Sequence, residues 1–169
     1  MGPVSATTPI DAPRERVFDF LNDLANRPAI LGGFVDQYRL QRLDSVGVGA
    51  AARFRIPEAG FWMESVIEEA EPPHRILERG SGGRLGRIPV TTAWELTEGA
   101  APDGCDVKVV FWTEPATAVD RARDHMLGAK RFYRREWEGV LARLKQAIES
   151  GVPVERVAVA GGDRVPGAG

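Results

Sequence analysis

Phe61-Trp62-Met63-Glu64-Ser65-Val66-Ile67-Glu68-Glu69-Ala70-Glu71-Pro72-Pro73-His74-Arg75-Ile76-Leu77-Glu78-Arg79 is the stretch whose reading decides the fold. Met63, Ser65 and Ile67 alternate with Glu64 and Glu68. A period of two is that of a strand with one buried and one wet face. Pro72-Pro73 ends the run, because proline has no N–H to give to a ladder. A second strand runs from His74 to Arg79, and its facing stays open, since Ile76, Leu77 and Glu78 do not alternate.

The same period extends in both directions. Upstream, Tyr38, Leu40 and Arg42 alternate with Gln37, Arg39 and Gln41, and Gly47 and Gly49 mark a turn. Ala52, Phe54 and Ile56 alternate with Arg53 and Arg55 before a turn at residues 57–60. Downstream, residues 80–87 are a Gly-rich connection, read as a mobile rim. Thr92, Trp94 and Leu96 then alternate with Ala93 and Glu95, and Val107, Val109 and Phe111 with Lys108 and Val110. About six consecutive strands on short turns predict an antiparallel meander.

Helical signals flank the meander. A short strand over residues 4–8 leads to Asp11, Pro13 and Glu15, residues that suit a helix start. Val17, Phe18, Leu21 and Leu24 form one helical face, limited by Pro28 and ended by Gly32-Gly33. After the last strand, Val119, Ala122, Met126, Ala129, Tyr133, Trp137, Val140, Leu144 and Ile148 recur at steps of three or four. That predicts one helix over residues 118–150, passing through Gly128 and long enough to lie across a whole sheet. The expected organisation is one domain over residues 1–150 and a flexible tail over 151–169, where Gly161-Gly162 and Gly167-Ala168-Gly169 stand.

Composition narrows the function. With 169 residues and 43% hydrophobic residues, the chain can bury a core without disulfides or metals. Its 22 basic and 24 acidic residues are interspersed and its pI is about 5.8, unlike a nucleic-acid binder. The reading is an evenly charged, solvated surface. The single cysteine, Cys105, permits no intrachain disulfide and stands between Asp103 and Asp106, which disfavour its thiolate. A cytoplasmic setting is expected. No run approaches the ~20 apolar residues of a membrane span, and no secretory signal opens the chain. His74 and His125 have no ligand partner at metal spacing, so neither metal nor cofactor is expected. Gly47-Val48-Gly49 lies between strands and so fails as a dinucleotide fingerprint.

The order of elements comes together with Thr8-Pro9-Ile10-Asp11-Ala12-Pro13-Arg14-Glu15-Arg16-Val17-Phe18-Asp19-Phe20-Leu21-Asn22-Asp23. Gly47-Val48-Gly49-Ala50, Val66-Ile67-Glu68-Glu69-Ala70-Glu71-Pro72-Pro73-His74-Arg75-Ile76 and Trp94-Glu95-Leu96 stand further along. Over residues 4–150 this resembles the START-like (SRPBCC) superfamily, in its polyketide cyclase/dehydrase branch. The resemblance implies an α+β helix-grip fold: about seven antiparallel strands in a curved sheet around the long C-terminal helix, with two short helices after the first strand. It also implies a cavity for lipids, sterols, polyketides, plant hormones or quinones. It carries no universal catalytic residue.

Candidates for the cavity lining, taken from the inward side of the alternation, are Tyr38, Phe54, Met63, Ser65, Thr92, Trp94 and Phe111, with Met126, Ala129 and Tyr133 from the helix. Such stripes are more often plain core than ligand contacts. The inward hydroxyls are the sharper signal, because a buried hydroxyl needs a partner, and Tyr133 is the first candidate to orient a ligand. The expected function is binding or transport of a hydrophobic small molecule, with no nucleic-acid partner and no stable membrane insertion. A polyketide cyclase or aromatase using the same cavity and a ligand-free interaction module are the alternatives.

Overall fold

The computed structural model describes residues 1–83, 86–114 and 128–150, together with the backbone of two short strands at 157–159 and 162–164. Seven strands are β1 (Val4–Ile10), β2 (Asp36–Leu40), β3 (Ala51–Ile56), β4 (Phe61–Glu71), β5 (Arg75–Gly82), β6 (Ile88–Glu98) and β7 (Cys105–Thr113). Two short helices, α1 (Arg14–Asn22) and α2 (Arg27–Leu31), follow β1, and α3 (Ala129–Ser150) follows β7. The meander β2 to β7 pairs antiparallel throughout, and β1 returns to pair antiparallel with β7. The result is a seven-stranded curved sheet with α3 against its inner face, the helix-grip arrangement. Two further strands, β8 (Val157–Val159) and β9 (Gly162–Arg164), extend it past β2; β8 runs parallel to β2, with Ala158 opposite Arg39. No helix among the described residues is long and apolar enough to cross a membrane.

Three local expectations change. Gly128 takes a φ of +60°, a left-handed value that no right-handed helix accommodates. The helix therefore begins at Ala129 and spans 22 residues, roughly 33 Å; residues 118–127, Met126 among them, lie outside the described residues. Pro28 opens α2 from its first turn instead of limiting α1, where its missing N–H costs nothing. Gly80, Ser81 and Gly82 belong to β5, paired with Val90, Pro89 and Ile88, so the Gly-rich connection is shorter than residues 80–87. At Gly80 a side chain would force β4 and β5 apart, since a Cβ would lie 1.7 Å from the Glu64 carbonyl oxygen.

α3 is held by its apolar face. Tyr133, Trp137, Val140, Leu141, Leu144, Ala147 and Ile148 are buried, while Lys130, Arg134 and Glu138 face solvent. Each large apolar side chain so buried contributes roughly 1.5–3 kcal/mol over its exposed state, far more than helix propensity supplies.

Candidate functional site

The site is assembled by strand register. Opposite one another on the inner face stand Phe54 and Met63, Ser65 and Gly80, Glu78 and Thr92, and Thr92 and Phe111. These residues border a cavity that α2, the segment after it and α3 complete with Arg27, Phe34 and Trp137. The centre of a water-sized sphere has about 30 Å³ available to it there, room for roughly two waters. That is well below the ~300–1,000 Å³ of pockets that hold drug-sized ligands.

Most of the wall is aromatic or aliphatic. Tyr38 stacks on Phe54 with ring centroids 5.8 Å apart and planes within 6°. A bulge in β2 between Asp36 and Arg39 places Gln37 at a φ of +50°. The Tyr38 hydroxyl donates to the Leu24 carbonyl at 2.9 Å. Burial pushes this phenol far above its ordinary pKa, so it stays a neutral donor. Trp137 meets Phe34, Trp94 and Phe111 with ring centroids 5.6–5.7 Å apart.

One polar cluster interrupts this apolar wall. Arg27, only 3% exposed, sits at the start of α2, where its guanidinium reaches back to the end of α1. Its Nε and Nη2 donate to the Leu21 carbonyl at 3.1 and 2.8 Å. They satisfy an acceptor that the helix end leaves open. Nη2 also donates to Glu78 Oε1 at 2.5 Å, and the guanidinium lies 4.6 Å from the Trp94 ring centre. Glu78 Oε1 accepts a second bond from Trp94 Nε1 at 2.8 Å, and Oε2 accepts from Ser65 Oγ at 2.8 Å. The pair is thus neutral overall, and both carboxylate oxygens are engaged, as a buried charge requires.

Of the residues expected at the cavity, Tyr38, Phe54, Met63, Ser65, Thr92 and Phe111 line it. Trp94 is fully buried beside it, with its indole N–H turned to Glu78. Tyr133 packs against Phe34, Phe111 and Phe132 and is not among the lining residues, and Ala129 lies at the start of α3, partly buried against the core. Arg27, Glu78, Phe34 and Trp137 line the cavity without having been singled out as site candidates. Glu78 was within reach of the register argument: it stands on the same face as Ile76 and Gly80, one pair away from Ser65 and Trp94. Cys105 is buried in β7, and burial, then Asp106, pushes its thiol up.

Residues 1–149 match the family described as polyketide cyclase/dehydrase and lipid transport. The chain belongs to this family. No curated protein matches it. Among solved structures, the KanY protein has 22% identity and a TM-score of 0.71, with 88% of this chain and 99% of that one covered. TTHA0849 from Thermus thermophilus has 18% identity and a TM-score of 0.67, covering 89% and 99%. DynU16, a protein in the dynemicin biosynthetic locus, has 19% identity and a TM-score of 0.57, with 92% of this chain and 50% of that one covered. At these identities the likeness carries the fold alone. The family accounts for the fold around this cavity, and its occupant is argued from the residues on its wall.

Proposed function

We propose that this chain binds a small hydrophobic molecule (polyketide-, lipid- or quinone-like) between the inner face of β3–β6 and α3. One observation carries the reading: an aromatic cavity whose wall holds an internally neutralised polar cluster, Arg27–Glu78–Ser65, tied to Trp94 behind it. Apolar walls with a few fixed polar groups are the pattern of small-molecule sites. At about 30 Å³ the cavity takes a large ligand only if side chains move aside, and Met63, unbranched and pliable, moves at least cost.

Carriage is favoured over turnover. A general acid or base must be free to exchange a proton with the ligand. Among the described residues, the buried carboxylate of the cavity is occupied at both oxygens, and the Tyr38 hydroxyl is committed to Leu24. The one cysteine is buried and has no second cysteine to pair with, which suits the cytoplasm.

Native mass spectrometry and thermal melting against polyketides, quinones, sterols and fatty acids test the reading. A ligand that binds only the folded state raises the melting temperature in proportion to ln(1 + [L]/Kd). A co-purified apolar mass or a saturable shift is the expected result. A clean apo mass with no shift from any member would refute the reading.

A further inference from the structure

Trp137 stands midway along α3, is 6% exposed, and contributes to the cavity wall. Its Nε1–H is buried and reaches no acceptor. The contrast with Trp94 is direct: the two indoles meet edge to face with centroids 5.7 Å apart, yet Trp94 gives its N–H to Glu78 at 2.8 Å. One indole is satisfied by the protein and the other is not.

An unpaired buried N–H costs about as much as a lost hydrogen bond, and an indole N–H can only donate. The missing partner is therefore an acceptor. The rings of Phe34, Trp94 and Phe111 that surround Trp137 offer no oxygen. Trp137 also lines the cavity, which has room for such an oxygen.

The charge on that oxygen is also constrained. Arg27 is the one cation among the lining residues. Its charge is already paired with Glu78, its Nε and Nη2 are engaged by Glu78 and the Leu21 carbonyl, and its guanidinium lies against the Trp94 ring. A carboxylate or phosphate entering here would lose its water without gaining a counter-ion, and it would approach Glu78, a like charge. A carbonyl oxygen meets neither penalty. The Tyr38–Phe54 stack and the Phe111 and Trp137 rings favour a flat, unsaturated body beside that oxygen.

We propose that Trp137 is the specificity-determining residue of this cavity, its Nε1–H donating to an uncharged carbonyl on an aromatic ligand, and that carboxylates are rejected. This rests on the cavity-binding reading above and narrows it.

Three single-ring probes of nearly equal size separate the possibilities: acetophenone (neutral acceptor), ethylbenzene (none) and benzoate (anionic). They are titrated into the full-length, ¹⁵N-labelled protein while the indole N–H signals of Trp62, Trp94, Trp112 and Trp137 are followed. Trp137 is assigned through the backbone, so the test does not depend on a variant folding. The expected result is that acetophenone moves the Trp137 indole proton downfield and binds about tenfold more tightly than ethylbenzene, the size of one well-placed hydrogen bond. Benzoate is expected to bind more weakly than acetophenone. In Trp137→Phe the ratio of acetophenone to ethylbenzene affinity falls to about one, whatever the change in the affinity for each. Equal affinity for acetophenone and ethylbenzene, a Trp137 signal that stays still while the ketone binds, or tighter binding of benzoate overturns the inference and leaves the cavity reading standing. If none of the three probes perturbs a lining residue, this inference falls, and the ligand panel above decides the cavity reading.

Discussion

Removing Arg27 is the sharpest test of how the cavity wall is held. In Arg27→Met the side chain keeps its approximate volume and loses its charge and donors. Glu78, 7% exposed, then keeps Trp94 and Ser65 as donors but has no counter-ion. Breaking a buried pair in this way costs about 3–5 kcal/mol. The Leu21 carbonyl also loses both its bonds from Arg27, for about 1 kcal/mol more. The loss, about 4–6 kcal/mol, is a large share of a typical total stability of 5–15 kcal/mol. With a urea m-value of about 2 kcal/mol/M, the variant's midpoint falls by roughly 2–3 M. In Arg27→Met/Glu78→Gln both charges are gone and the glutamine amide can still meet Trp94 and Ser65. This double variant is expected to be more stable than Arg27→Met alone, losing no more than about 2 kcal/mol. Urea unfolding followed by tryptophan fluorescence, on the wild type, both single variants and the double, closes the cycle. The reasoning fails if Arg27→Met costs under about 1 kcal/mol, or if the double variant loses the sum of the two singles. Either result would mean that the pair is wet enough for water to replace each partner.

Further outcomes follow from particular contacts. Gly80→Ala forces a Cβ to within 1.7 Å of the Glu64 carbonyl oxygen, so β4 and β5 must part; a loss of more than about 2 kcal/mol in a thermal melt is expected. Gly139→Ala is the opposite case. In α3 its Cβ would first meet Arg143 Nη1 at 3.4 Å, an ordinary van der Waals contact, so a gain of about 0.5–1 kcal/mol should appear in the same assay. Cys105, buried and with its thiol pushed up, should resist a disulfide reagent at pH 8 until urea unfolds the chain; rapid labelling of the native protein would contradict its placement.

How much of this could be read from the residues depended on whether a strand has one wet face. In β3, β4 and β7 the outward positions carry Arg53, Glu64 and Lys108, and alternation exposes the inward set directly. β5 gave no such signal, because Ile76, Leu77 and Glu78 are all buried and burial on both faces erases the period of two. β6 is similar: Thr91, Thr92, Ala93 and Trp94 are buried in succession, yet the bulk of Trp94 and Leu96 still marked the inner face. On α3 the spacing gave the stripe from Tyr133 to Ile148. It could not give the start, because spacing is blind to backbone conformation, and the helix begins where Gly128 turns left-handed.

Arg27 and Glu78 show why site chemistry is harder to read than fold. They are 51 residues apart, and each has other charged residues near it in sequence that are less buried. On composition both belong to the evenly charged surface that a near-neutral chain implies. Only the register tells them apart: Glu78 sits beside Ser65 and Trp94 on the inner face, and α2 starts where its first side chain can cover that face. Once buried, the pair acts in two ways. It seals the end of α1 through the Leu21 carbonyl, which ties α1, α2 and the sheet together. It also uses the cavity's one lining cation internally, which leaves the wall without an unpaired positive charge. A free arginine there would make the cavity a receptor for acids; the paired one turns selection over to the uncharged donors. The residue that neutralises Arg27 thus decides both how stably the wall stands and which molecules can approach it.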